Sequence, residues 1–129
     1  MAGWCFVAMS FDVSLAEAYT LGIQRAIQEC HCVPIRLDKV EHNDKICDRI
    51  IAEIRRCQFV VADVTGQNPG AYFEAGFAMA LGRPVIWICR EDEEKIHFDT
   101  RQYPHIFWKT PEDLRQQLVS RISATIKTE

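Results

Sequence analysis

The sequence lacks any apolar run approaching the roughly 20 residues needed to span a bilayer. Its first residues, Met1-Ala2-Gly3-Trp4, also lack the positively charged start of a secretion signal. Both absences lead to the expectation of a soluble, cytoplasmic protein with no membrane partner. Positive charge is not in excess: 15 Lys and Arg stand against 18 Asp and Glu, for a formal net charge of −3. The signs are interspersed, so there is no basic field to attract a phosphate backbone, and no nucleic-acid partner is expected. Repeats, linkers and low-complexity segments are missing as well. One domain over residues 1–129 is the reading, and a chain of this size buries roughly two-thirds of its unfolded surface without disulfide or metal staples.

What cysteine there is does not suggest chemistry. Cys5, Cys30, Cys32, Cys47, Cys57 and Cys89 fall mostly within expected strands or on apolar helix faces, as reduced, buried thiols do. Cys30-His31-Cys32 has no second Cys/His pair at finger spacing. Neither a metal nor a cofactor is expected.

The chain alternates between strand and helix signals. Trp4-Cys5-Phe6-Val7-Ala8 is a continuous apolar run, suited to a strand buried on both faces. An amphipathic helix is expected from Leu15 to Glu29, then an edge strand over Val33-Pro34-Ile35-Arg36-Leu37, where Pro34 and Arg36 favour an edge. Asn43 to Arg56 has helical periodicity through Ile46, Ile50 and Ile54, with Asn43 as cap. Phe59 to Ala62, Val85 to Cys89 and His105 to Trp108 read as further strands. A last helix starts at Thr110-Pro111 with an acidic first turn. This alternation predicts a three-layer α/β fold of the flavodoxin-like or Rossmann-like kind: a five-stranded, mainly parallel sheet in the order 2-1-3-4-5, with helices on both faces.

The most informative stretch runs from Phe59 to Gly82. A β-branched strand, Phe59-Val60-Val61-Ala62, breaks at Gly66-Gln67-Asn68-Pro69-Gly70 and resumes as a helix of small and apolar residues. Asn68-Pro69 suits an N-cap followed by proline at the first helical position. From Ala71 to Leu81 the helix carries one carboxylate, Glu74, in its second turn. A helix apolar on nearly every side is expected to be buried on nearly every side, and a carboxylate is rarely buried without a reason.

Ligands of such sheets sit beyond the carboxyl ends of the strands, where the strand order reverses, here between the first and third strands. Ser10, Asp63, Thr65, Asn68 and, one helical turn in, Glu74 are expected to face that crevice. Backbone N–H groups at the Gly70 helix start, with Ser10, could cradle an anion. Ser10 and Asp63 suit equally well the capping of turns.

Phe6-Val7-Ala8-Met9-Ser10-Phe11, Ala62-Asp63-Val64-Thr65, Asn68-Pro69-Gly70-Ala71-Tyr72-Phe73-Glu74-Ala75-Gly76 and Ala80-Leu81-Gly82-Arg83-Pro84-Val85-Ile86 together resemble the nucleoside 2-deoxyribosyltransferase family, including the related deoxynucleotide N-hydrolases. The resemblance covers most of the chain, and its most specific part is the aromatic-Glu-x-Gly helix after a Val-Val-Ala-Asp strand. It implies an enzyme that cleaves or transfers an N-glycosidic bond, a nucleoside or nucleotide as small-molecule partner, Glu74 as nucleophile, and a homo-oligomer in which a neighbour completes the site. Glu74 and Asp63 are the candidate catalytic residues. Ser10, Phe11, Thr65, Asn68, Gly70, Tyr72, Asp99 and Arg101 are the candidate substrate contacts, the last two in the loop His97-Phe98-Asp99-Thr100-Arg101-Gln102-Tyr103.

Chemistry favours the same residue. Breaking an N-glycosidic bond passes through an oxocarbenium-like state that a nearby carboxylate can stabilise or trap. Burial alone would raise a glutamate's pKa, so donors such as Tyr72 or backbone amides are expected to keep Glu74 ionised. Two positions depart from the family: Ile50 stands where an aspartate usually positions the sugar and protonates the leaving base, and Asn68 stands where many transferases have a sugar-binding aspartate. Asp48 and Glu53 lie near position 50 but out of register with it. Two other readings stay open: a Toll/interleukin-receptor-like domain that cleaves NAD, and a nucleotide-binding or adaptor module that has lost the acid.

Overall fold

The computed structural model describes residues 3–37, 48–92 and 103–126. It has five parallel strands, β1 (Trp4–Ala8), β2 (Val33–Ile35), β3 (Phe59–Asp63), β4 (Val85–Arg90) and β5 (His105–Trp108), in the order β2-β1-β3-β4-β5. This is the expected topology. The apolar runs explain it: β3 is buried at every position and β1 at all but Trp4, which only a strand covered on both faces allows. β2, with its Pro34, takes one edge, and the short β5 takes the other.

Alternation divides the side chains between two cores. On one face Cys5, Val7, Met9, Phe59, Val61, Ile88 and Trp108 pack under α1 (Gln24–Glu29), the helical segment before it, and α4 (Pro111–Thr125). On the other, Phe6, Ala8, Val60, Ala62, Trp87 and Cys89 pack under α2 (Asp48–Arg56) and α3 (Pro69–Ala80). The expected cap at Asn43 lies outside the described residues, as does Cys47. The described cysteines are free thiols, and burial pushes the Cys5 thiol well above its ordinary value.

Two differences from expectation concern helices. The first helix is not uniform: a short turn, Val13–Leu15, leads into a wide π-helical stretch, Ala18–Ile23, closed by Gln24 N–H donating to the Tyr19 carbonyl, before α1 begins. The buried stripe Leu15, Ala18, Gly22, Ile23, Ala26, Ile27 runs through without interruption, so side-chain spacing carries no mark of the widened turn. Gly22 lets this segment approach α4 closely, since a Cβ there would sit 2.9 Å from Leu114 Cδ2.

The second difference is a correction. α3 is not buried on nearly every side: Ala71, Glu74, Ala75 and Ala78 face the sheet, whereas Phe73 is 67 % exposed and Gly76, Met79 and Ala80 also reach solvent. α3 forms an outer layer of the fold, so one face of it points outward whatever its composition.

Candidate functional site

The carboxyl ends of β1 and β3 each run into a turn that a side chain organises. After β1, Ser10 Oγ accepts from Asp12 N–H at 3.0 Å and Asp12 Oδ1 accepts from Ser14 N–H at 2.9 Å. The Ser14 hydrogen bonds hold the Asp12 carboxyl below its ordinary value. Arg36, just past β2, clamps this turn from the side. Its Nη2 donates to the Ser10 carbonyl at 2.9 Å, and its guanidinium lies 3.8 Å from the Phe11 ring centre and 4.5 Å from that of Tyr19. Phe11 stays 44 % exposed, with one ring face on Arg36.

After β3 the arrangement is tighter. Asp63 is fully buried; its Oδ1 accepts from Thr65 N–H at 2.8 Å and its Oδ2 from Trp108 Nε1 at 3.2 Å. Thr65 Oγ1 accepts from Arg90 N–H at 2.8 Å, and Val64 N–H continues the β3–β4 pairing to the Ile88 carbonyl. The loop is thus pinned to β4 and β5. Gly66 and Gln67 then turn it with φ of 76° and 53°, a left-handed conformation that glycine adopts without steric cost and Gln67 adopts within the pinned frame. Asn68 Oδ1 accepts from Ala71 N–H at 3.0 Å and caps α3, with Pro69 at its first position, as its sequence predicts.

Glu74 lies roughly 7–8 Å along the helix axis from Pro69, on the sheet-facing side with Ala71, Ala75 and Ala78, and is 1 % exposed. Tyr72, half-buried, sits with its ring 6.0 Å from that of Trp87. Gly70 is within the first turn, where backbone N–H groups lack helical acceptors.

Ser10, Thr65, Asn68 and Gly70 therefore collect on adjacent loops at the carboxyl rim, with Glu74 and Tyr72 just inside α3. Asp63 and Glu74 belong to opposite layers. Along β3, Asp63 shares a face with Phe59 and Val61, toward α4, while Glu74 is a buried residue of α3, whose Ala71, Ala75 and Ala78 pack with Val60 and Ala62 of the opposite face. Burial raises the Asp63 pKa, against its hydrogen bonds to Thr65 and Trp108 and the charge of Arg90. Asp99 and Arg101 lie outside the described residues.

Ile50, where the resemblance led to the expectation of an acid, is 0 % exposed and packs in the apolar cluster of Ala71, Ala75 and Ala78. Of its neighbours, Asp48 is exposed in the first turn of α2, and Glu53 pairs with Arg56 at 3.1 Å. Among the described residues no group of three His, Cys, Asp or Glu side chains is placed to hold a metal, and no helix is long and apolar enough to cross a membrane. Three supports of the site had no signal in the sequence: Trp108 to Asp63, Arg90 to Thr65 and Arg36 to Ser10 join residues far apart in the chain.

Residues 16–106 match the family model described as Nucleoside 2-deoxyribosyltransferase. No curated protein matches the chain.

Proposed function

The chain belongs to the nucleoside 2-deoxyribosyltransferase family, a family of nucleoside-processing enzymes, and from that premise we propose that it breaks the N-glycosidic bond of a nucleoside or nucleotide with Glu74 as nucleophile. The observation that carries this reading is a carboxylate 1 % exposed on the sheet-facing side of α3, among alanines, behind a loop fixed at four points. A Glu74 oxygen forms a bond to the anomeric carbon as the carbon–nitrogen bond breaks. The bonding pair leaves with the base, which takes up a proton. Water or a second base then displaces the sugar from Glu74 and regenerates the carboxylate.

The other residues take supporting roles in this proposal. Asn68 spends its Oδ1 on capping α3, which leaves its amide N–H groups to donate to a sugar oxygen. Ser10, Thr65 and the Gly70 amide surround the polar end of the substrate, and Phe11 and Tyr72 offer rings to it. Asp99 and Arg101 belong to the proposal as contacts from the following loop. Asp63 acts as a positioning residue, since both of its oxygens hold protein donors. A second copy of the chain would cover Phe73 and Phe107, the latter 45 % exposed on β5. Free buried thiols fit a cytoplasmic setting.

One observation favours a second reading. Ile50, buried among alanines where the family's acid usually stands, fits a nucleotide-binding module without turnover. Incubation with 2'-deoxynucleosides, their 5'-monophosphates, ribonucleotides and NAD separates the possibilities. Base release from a deoxynucleoside or its monophosphate, reduced at least about a thousandfold in Glu74→Ala, is the expected result. Nicotinamide release from NAD would instead indicate a Toll/interleukin-receptor-like activity, and thermal stabilisation by a nucleotide without base release would indicate the binding module. Full base release by Glu74→Ala would rule out the nucleophile assignment.

A further inference from the structure

At the amino rim of the sheet, the end opposite the Asp63 and Ser10 loops, a cavity of about 490 Å³ opens between the end of α3, the start of β4 and the last turns of α4. Its walls are largely apolar and aromatic: Met79, Pro104, Trp87 and Tyr103 line it, and the last two rings lie 6.1 Å apart and within 20° of parallel. The charged side chains on it are Arg83 and Arg121, and none of its lining side chains is acidic. Among the described residues no carboxylate pairs with either arginine.

Arg83 is already held from one side, since its Nη2 donates to the Arg55 carbonyl. Its Nε is buried and has no acceptor among the described residues. That atom is out of reach of solvent, so an anion would meet the other N–H groups of the guanidinium, whose fork matches the oxygens of a carboxylate or phosphate. The carboxyl-terminal ends of α3 and α4 reach the same rim and place partial negative charge there. The two arginines must therefore supply all of the attraction for an anion.

We propose that this cavity is a second ligand site, which takes a small organic anion carrying a flat ring: the ring packs on the half-buried Tyr103, which the buried Trp87 backs from within the core, and the carboxylate or phosphate sits on Arg83 and Arg121. The site lies at the other end of the strands from the loops around Glu74 and does not depend on the reaction assigned to them. Concave, mostly apolar walls with a few convergent polar groups are what small-molecule sites share.

Titration of the full chain with phenyl phosphate, benzoate, inorganic phosphate and phenol, followed by calorimetry and tryptophan fluorescence, tests this. Saturable binding of phenyl phosphate or benzoate is expected, with inorganic phosphate and phenol at least about tenfold weaker because each offers half of the recognition. Comparison of phenyl phosphate with benzoate tells which anionic group the arginines prefer. Arg121→Ala, on the outer part of α4, should weaken binding at least about tenfold, while Glu74→Ala leaves it unchanged; circular dichroism verifies that both variants are folded. Failure of both ring anions to saturate, inorganic phosphate binding as tightly as phenyl phosphate, binding that survives Arg121→Ala, or binding lost in Glu74→Ala would each overturn the proposal.

Discussion

Trp108 Nε1 donates to Asp63 Oδ2 at 3.2 Å, tying the edge strand β5 to a carboxylate two strands away at the root of the loop that leads into α3. The same carboxylate receives Thr65 N–H through its other oxygen. An indole on the outermost strand thus helps fix the segment from which α3, the helix of Glu74, starts.

Trp108→Phe keeps a ring in the core and removes that donor. A buried carboxylate that loses one of its hydrogen bonds is expected to destabilise the protein by about 1–3 kcal/mol. Urea denaturation at neutral pH measures it. A change smaller than about 0.5 kcal/mol, within the range of ordinary surface substitutions, would mean that the bond contributes little in solution.

Asp63 should also leave a mark on the pH dependence of stability. Burial, the largest influence, raises its pKa above the ordinary 3.8, so the folded state holds this proton more tightly than the unfolded chain does. The stability contributed by this group is fully present below pH 3.8 and is lost as pH rises through the raised folded value. Asp63→Asn removes the titration while keeping an oxygen for Thr65 N–H. The stability of the native protein minus that of Asp63→Asn should therefore decrease as pH rises from below 3.8 toward neutrality. A difference that instead grows across that interval would show a carboxylate stabilised in its charged form.

At Asn68 the cap can be separated from the amide. Asn68→Ala loses the acceptor for Ala71 N–H and should cost about 1 kcal/mol, with fraying of the first turn of α3. Asn68→Asp retains an acceptor and puts negative charge at the helix start, so it should be at least as stable as the native protein at neutral pH. Thermal unfolding of both variants reads this directly. Equal stability of Asn68→Ala and the native chain would mean that the cap contributes nothing.

The Arg36 clamp should respond to shape as well as charge. Lysine preserves the charge but cannot stack flat between Phe11 and Tyr19 or donate to the Ser10 carbonyl from the same plane. Arg36→Lys is expected to cost about 0.5–1 kcal/mol in stability and to weaken nucleotide binding by loosening the Ser10–Asp12 turn, seen as a raised KM with little change in kcat. An unchanged KM would separate this turn from the substrate.

The strand order, the helix starts at Asn68-Pro69 and Thr110-Pro111, and the isolation of Glu74 were all legible in the sequence. Each rests on local chemistry. Continuous β-branched runs suit doubly covered parallel strands, caps depend on residues three apart, and an ionisable group among alanines is conspicuous in any frame. The π-helical widening at Ala18–Ile23 was not legible, because the buried stripe keeps its spacing through it.

Tertiary structure alone decided which partner each polar group meets and which face each helix leaves bare. Nothing in the local sequence pairs Asp63 with Trp108, Thr65 with Arg90, or Ser10 with Arg36; those hydrogen bonds form because parallel pairing sets strands from distant parts of the chain side by side. Likewise α3 looked apolar all round, yet Phe73 faces outward, since a helix lying on one side of a sheet has only one side to bury. Sequence determined that a lone carboxylate would ride on that helix, and the packing of the layers decided that it turned inward, because the small side chains of Ala71, Ala75 and Ala78 on that side allow the helix to lie close to the sheet.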